Sequence, residues 1–430
     1  MSIKVSDEII VAASNASTNE TRNQYYIEHS GLSRREIRTF ETQSDTSDYS
    51  EYRTSSDNGK TWTDWQVLNK STKERVGEDD LAEFSYLMCR NVWNPVHKHY
   101  LEVVSDYIYV GGYEKATENF WTYGGIRETT HTNIKIRNEN GELISTQLIK
   151  YEDGDDFDKK IYHQTNYLDK NISVGTDVII LKNGDILVGI CAPVDVCCKR
   201  AGIDVTKVFP SSYKQTNAFM AVRGVWDKKS CQYSFLFSEP IIVDDRISSR
   251  GVCEPIMAEL SSGKILLVFR ISNFHFKKWN SRISPYAPGY KMYCITEDGG
   301  KTFSPPMPWH FDTREVIHSS ATYSLFARSE KNGKLYWFGN ITEPSKTSGN
   351  FPRYPLYMLE VDEDWGCAKK DSLTLIDTKR DGEAETVQLS NFSLLQNREN
   401  GNIELILTKY GQFPERHIRD CEVWKYTIEL

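Results

Sequence analysis

The chain has 430 residues and a formal net charge of −8, which leaves no basic stripe for nucleic acid, and no run approaches the roughly 20 apolar residues of a membrane-spanning helix. Aromatic residues reach 12%, with 24 Tyr and 10 Trp, ample material for a folded core. The length exceeds the usual single domain, which leaves two domains or one closed repeat architecture.

The first stretch, Met1 to Ser14, holds a short apolar run interrupted by Asp7 and Glu8, unlike a secretory signal. Nine cysteines are scattered without metal-ligand spacing, as expected of reduced thiols in a cytoplasm. A cytoplasmic protein without metal or cofactor is the expectation.

Along the chain most segments alternate with period two and break at polar turns, so strands dominate. The segment Gln43-Ser44-Asp45-Thr46-Ser47-Asp48 is acidic and rich in hydroxyls. It precedes Ser55-Ser-Asp57-Asn-Gly59-Lys-Thr61-Trp62, of the form S-x-D-x-G-x-T-W. In such a turn Asp accepts from backbone amides, Gly takes the left-handed position and the aromatic covers the turn. Thr296-Glu-Asp298-Gly-Gly300-Lys-Thr302-Phe303 repeats the pattern, and the stretches from Arg137 and from Val361 look like degenerate copies.

A second repeat lies between them. Leu181-Lys-Asn-Gly-Asp-Ile-Leu187, Leu260-Ser-Ser-Gly-Lys-Ile-Leu266, Glu330-Lys-Asn-Gly-Lys-Leu-Tyr336 and Arg398-Glu-Asn-Gly-Asn-Ile-Glu404 are four versions of one hairpin, with glycines 79, 70 and 68 residues apart. A fifth strand pair is expected around Leu101 to Gly111, turning at Ser105-Asp106. This period exceeds the roughly 40–50 residues of common propeller repeats, which long connecting loops would explain.

The hairpin from Gly251 to Ser272 stands out because Glu254 opens its first strand and Arg270 closes its second, so both ends can emerge on one side of a sheet. A salt bridge is the plain reading of that pair; a binding site is the sharper one. His318 in Ile317-His-Ser-Ser320, His131 in Thr129-Thr-His-Thr-Asn133 and His163 in Tyr162-His-Gln-Thr-Asn166 flank expected inner strands. Lone histidines of this kind are more often structural than catalytic.

The two intact turns resemble the Asp-boxes of the sialidase (neuraminidase) superfamily, and the 251–272 hairpin resembles that family's E-P-x-x-x-x-L-x-x-G-x-L-x-x-x-x-R segment. The resemblance implies an all-β, six-bladed propeller over residues 1–430 as a single domain. It also implies a carbohydrate substrate bearing a carboxylate, three arginines to grip it, an Asp acid/base, and a Tyr nucleophile activated by a Glu. Guanidinium groups suit a planar carboxylate because they bind it bidentately.

Residue by residue, Glu254 falls on the family's Glu and Arg270 on the second arginine. Arg353, in Ser348-Gly-Asn-Phe-Pro-Arg353-Tyr-Pro-Leu356, resembles the third. Asp45 stands at the acid/base position, with Asp48 in reserve, and Arg22 lies nearest the place of the first arginine. In Val387-Gln-Leu389-Ser-Asn391, Leu389 occupies the position of the Tyr.

The resulting expectation is an exo-acting glycosidase in which Asp45 and Glu254 form the acid/base pair and Arg270, Arg353, Arg22, His318 and His131 line the substrate. Without a Tyr, water attacks directly or a carboxylate is the nucleophile; a carboxylate separation of about 5 Å or about 6.5–9.5 Å would distinguish retention from inversion. Two alternatives are a uronic-acid polysaccharide lyase using His131 or His163 as base, and a glycan-binding propeller without turnover.

Overall fold

The structure, a computed structural model, describes residues 3–14, 19–41, 49–70, 72–76, 79–110, 128–151, 174–210, 216–275 and 281–430, some strand segments by backbone alone. Its strands fall into six sheets arranged as the blades of a β-propeller. Blade 1 is β2 (Asn19–Tyr26), β3 (Arg34–Glu41), β4 (Tyr49–Ser55) and β5 (Gln66–Lys70). Blade 2 is β6 (Thr72–Val76), β7 (Asp79–Asn94), β8 (His99–Val110), β9 (Glu128–Arg137) and β10 (Leu143–Ile149). Blade 3 is β11 (Val174–Ile180), β12 (Ile186–Pro193), β13 (Asn217–Asp227) and β14 (Gln232–Phe237). Blade 4 is β15 (Cys253–Glu259), β16 (Ile265–Arg270), β17 (Lys291–Thr296) and β18 (Met307–Pro308). Blade 5 is β19 (Ser324–Arg328), β20 (Leu335–Asn340), β21 (Leu356–Asp362), β22 (Cys367–Ala368) and β23 (Thr374–Asp377).

Blade 6 closes the ring. Its first three strands are β24 (Phe392–Gln396), β25 (Ile403–Thr408) and β26 (Val423–Glu429), and its fourth is the N-terminal β1 (Lys4–Val11), antiparallel to β26 from Lys4↔Glu429 onward. Joining the two chain ends in one sheet removes the open edge of the repeat.

The glycine-centred repeats are the turns between first and second strands, with Gly184, Gly263, Gly333 and Gly401 at φ 86°, 83°, 75° and 72°. The second strands are the ones buried on both faces: ILVGICAP, ILLVFR, LYWFGN and IELILT are almost wholly enclosed. A strand sandwiched between two neighbouring blades cannot alternate, which explains those continuous apolar runs. The Asp-containing turns join third to fourth strands. Asp57 accepts from Thr61 N at 2.8 Å, Thr61 Oγ1 at 2.6 Å and Ser55 Oγ at 2.8 Å. These bonds hold its carboxyl down at about 2. Asp298 makes the same set with Thr302 and Thr296.

One expectation fails in blade 2. Ser105 and Asp106 do not turn; they lie within β8, opposite Tyr86 and Ser85 of β7 and Thr132 and His131 of β9. Blade 2 strands run to 16, 12 and 10 residues and overrun the others. Alternating β-branched and aromatic residues continue pairing through the Ser-Asp step, which lacks the Gly that a tight turn requires.

Apolar cores fill four junctions between blades, among them the Ile256, Leu266, Val268, Trp309, Trp337 and Leu359 cluster between blades 4 and 5. The junction of blades 1 and 6 is different. There Arg22, Arg38 and Arg53 interleave with Glu20, Glu36 and Glu51, and Arg34 crosses to Glu404 at 2.9 Å.

Candidate functional site at the mouth of blades 4 and 5

Within each antiparallel blade, the start of the first strand, the end of the second and the start of the third meet at one rim. In blade 4 these positions are Glu254, Arg270 and Lys291. Arg270 and Lys291 extend the rows Leu266/Val268 and Tyr293/Ile295 that pack on blade 5, so alternation aims these two side chains toward that neighbour, and Glu254 stands beside them at the start of the first strand. The apolar junction therefore ends, at its rim, in a row of three charges.

The backbone at Glu254 is unusual. Gly251, at φ +65°, passes so close to blade 3 that a Cβ would lie 2.0 Å from the Asn217 carbonyl oxygen. A β-bulge follows between Cys253 and Ile256, and Glu254 itself sits at φ +45°, a region that side-chain-bearing residues occupy at a cost. The bulge turns the Glu254 carboxylate onto Arg270, with Oε2 at 2.9 Å from Nη1. The two are in ionic contact but out of hydrogen-bond alignment: Oε2 is buried and has no hydrogen-bond donor among the described residues.

Arg270 Nη1 also donates to the Ala321 carbonyl at 3.4 Å. Its cross-strand partner Lys291 is fully buried and donates from Nζ to the next carbonyl, that of Thr322. Burial drives the lysine pKa down to about 7; the nearby charges of Arg270 and Arg353 push the same way and Glu254 opposes them. The electrostatics thus join Arg353 to the row.

Arg353 comes from the long connection between β20 and β21. Its Nε donates to the Asn350 carbonyl at 3.0 Å, and Nη1 to Gln388 Oε1 at 2.8 Å and Ser390 Oγ at 3.3 Å. Asn273 fastens this connection to blade 4, donating to the Thr347 carbonyl at 3.1 Å and accepting from Gly349 N at 2.8 Å. Leu389 donates its N–H to the Arg353 carbonyl at 2.9 Å, while its side chain is fully buried in the core between blades 5 and 6. The position that the family resemblance gives to a nucleophile is thus a core position here.

The structure brings Glu254, Arg270 and Arg353 to one rim. His318 borders it: Nδ1 donates to the Gly289 carbonyl at 3.2 Å, and Ser319 to Thr322 follow directly. Arg22 is engaged elsewhere, in the charged ladder of blade 1, with Nε on Glu20 at 2.7 Å and Nη1 3.6 Å from Glu36. His131 lies on β9, described there by backbone alone, opposite Asp106. Asp45, Asp48 and His163 lie outside the described residues.

Sequence reasoning missed Lys291, Gln388 and Ser390. For Lys291 the signal was present: it shares the parity of Tyr293 and Ile295 at a strand start, an odd place for a lysine. A cleft of about 630 Å³ lies against the outer Asp298 turn with Tyr293 and Met307; its Lys264 is paired with Glu297 at 2.6 Å.

No family model matches the chain, and no curated protein matches it. Among solved structures, a protein of unknown function from Dyadobacter fermentans is similar over 99% of both chains, at 12% identity and a TM-score of 0.56. A sialidase from Trypanosoma rangeli is similar at 10% identity over 98% of this chain and 59% of its own, with a TM-score of 0.46. An α-L-arabinofuranosidase from Fusarium graminearum is similar at 10% identity over 98% and 97%, with a TM-score of 0.47. The likeness to the Dyadobacter protein is one of fold, and no residue role passes from either enzyme to this chain.

Proposed function

We propose that this chain is a glycoside hydrolase acting, at the mouth of blades 4 and 5, on a sugar that carries a carboxylate. The observation behind this reading is a rim where Arg270 pairs with Glu254 at 2.9 Å and where Glu254, Arg270 and Arg353 all act electrostatically on the buried Lys291. Guanidinium groups at one mouth suit an anionic ligand. Arg353, held by Gln388 and Ser390, and Arg270, backed by the Ala321 carbonyl, grip the substrate carboxylate. Glu254 acts at the anomeric carbon, either directly or through a water, with Asp45 as its partner in the acid/base pair.

The test is release of fluorophore from 4-methylumbelliferyl glycosides of N-acetylneuraminic acid and glucuronic acid. Glu254→Gln should lower kcat by about 10²–10⁴-fold, and Arg353→Ala should raise KM more than it lowers kcat. Unchanged turnover in Glu254→Gln sinks the reading. The burial of Leu389 favours one second reading, a glycan-binding propeller without turnover; binding of either sugar acid with no hydrolysis would select it.

A further inference from the structure

Lys291 does not reach the surface, so it cannot touch a ligand. Its described hydrogen bond goes to a neutral carbonyl, that of Thr322. An ammonium in that position is costly to bury; Glu254 favours the charge, and two arginines nearby oppose it. Among the charged groups acting on Lys291, Glu254 favours its ammonium form, and an anion at the rim would favour it further. Because the charge is enclosed, its field at the rim is little screened.

We propose that Lys291 is a positioning residue of the anion grip: its ammonium pins Thr322, and with it the adjoining carbonyl that Arg270 holds, while adding a third positive charge behind Arg270 and Arg353. This rests on reading the mouth as the site of a carboxylated sugar. The charged groups facing Lys291 are Glu254 from β15, Arg270 from β16 and Arg353 from the β20–β21 connection. Binding of an anion at the arginines and protonation of Lys291 then favour each other. With the lysine losing its proton at about 7, affinity for an anion falls as pH rises through neutrality.

The experiment is calorimetric binding of acetate, glucuronate and N-acetylneuraminate at pH about 6 and about 8, where the expected loss in the wild type is about tenfold. Lys291→Met should bind about tenfold more weakly at the lower pH, with the pH dependence gone. Lys291→Arg, which keeps its charge at both pH values, should bind equally at both. His318→Gln, the control for the histidine that borders this rim, should retain the wild-type slope.

Acetate binding with this pattern, without binding of either sugar, supports the role of Lys291 and defeats the sugar reading. A pH slope that survives in Lys291→Arg or vanishes in His318→Gln overturns the proposal, as does absence of binding by all three anions. If Lys291→Met does not fold, Lys291→Arg alone decides.

Discussion

Arg270 and Lys291 face each other across β16 and β17 and donate to consecutive carbonyls of the neighbouring blade, those of Ala321 and Thr322. One cross-strand pair thus holds one short segment at two adjacent points. The partner blade reciprocates through Gly349, which donates to Asn273 of blade 4 and steadies the connection that carries Arg353. Blades 4 and 5 are therefore clasped at the rim by polar contacts and below it by the Trp309–Trp337 cluster.

Arg270→Ala removes the donor to Ala321 and leaves Glu254 without its cation. The side chains are 16% and 36% exposed, so water recovers part of the loss, and the expected cost is about 1–2 kcal/mol, read from urea unfolding. Binding of a sugar acid should weaken by at least about tenfold, and Arg270→Lys should restore stability better than binding, since an ammonium lacks the planar fork.

Leu389 is fully buried among Phe338, Leu356, Leu405 and Tyr426. Leu389→Ala should cost about 2–5 kcal/mol through the cavity it leaves. Leu389→Tyr should also destabilise, because the ring overpacks the core, and should not create hydrolytic activity. Gain of sialidase turnover in Leu389→Tyr would show that the side chain can reach the mouth.

The fold was legible wherever a local rule forced it. Gly184, Gly263, Gly333 and Gly401 marked the turns because each needs a positive φ, and the fully buried second strands announced themselves as unbroken apolar runs. The β8 strand was misjudged because a Ser-Asp pair has turn character in isolation, and long-range pairing with His131 and Thr132 overrides it. The rim was only half legible. Glu254 and Arg270 frame one hairpin and could be paired by eye, and Lys291, the cross-strand partner of Arg270, showed only as a lysine at a strand start; Gln388 and Ser390 join them through packing between blades, which no spacing within the chain encodes. Arg22 shows the converse: an arginine near the expected position is held by Glu20 and Glu36 in its own blade.

The junction of blades 5 and 6 has its own polar lock, with acid lability as its signature. Lys409, fully enclosed, bridges Asp377 at 2.8 Å and Glu383 at 3.0 Å, and Tyr426 donates to Asp377 at 2.5 Å. Burial pushes the Asp377 pKa up, but Lys409, Tyr426 and Arg380 outweigh it and hold the carboxyl below its ordinary value. A depressed carboxylate stabilises the fold above its unfolded pKa, about 4, and the stabilisation is lost as pH falls through the lower folded value. Lys409→Met should cost about 3–5 kcal/mol and move the acid unfolding midpoint upward, as followed by circular dichroism. An unchanged acid midpoint would show that the lock contributes nothing to that junction.

Lys291 should leave a signature of the same sign on the alkaline side. Its folded pKa, about 7, lies below the ordinary 10.5, so between those values the unfolded chain holds a proton that the folded chain has released. Stability then rises with pH across that window, by at most about 1.4 kcal/mol per pH unit. Below pH 7 the ammonium is charged in both states and its burial is carried in full. Lys291→Met lacks this titration, so subtracting its urea-unfolding curve from that of the wild type should leave a positive slope from neutral to alkaline pH. Parallel curves for the two proteins across that window would mean that Lys291 keeps its proton in the folded chain.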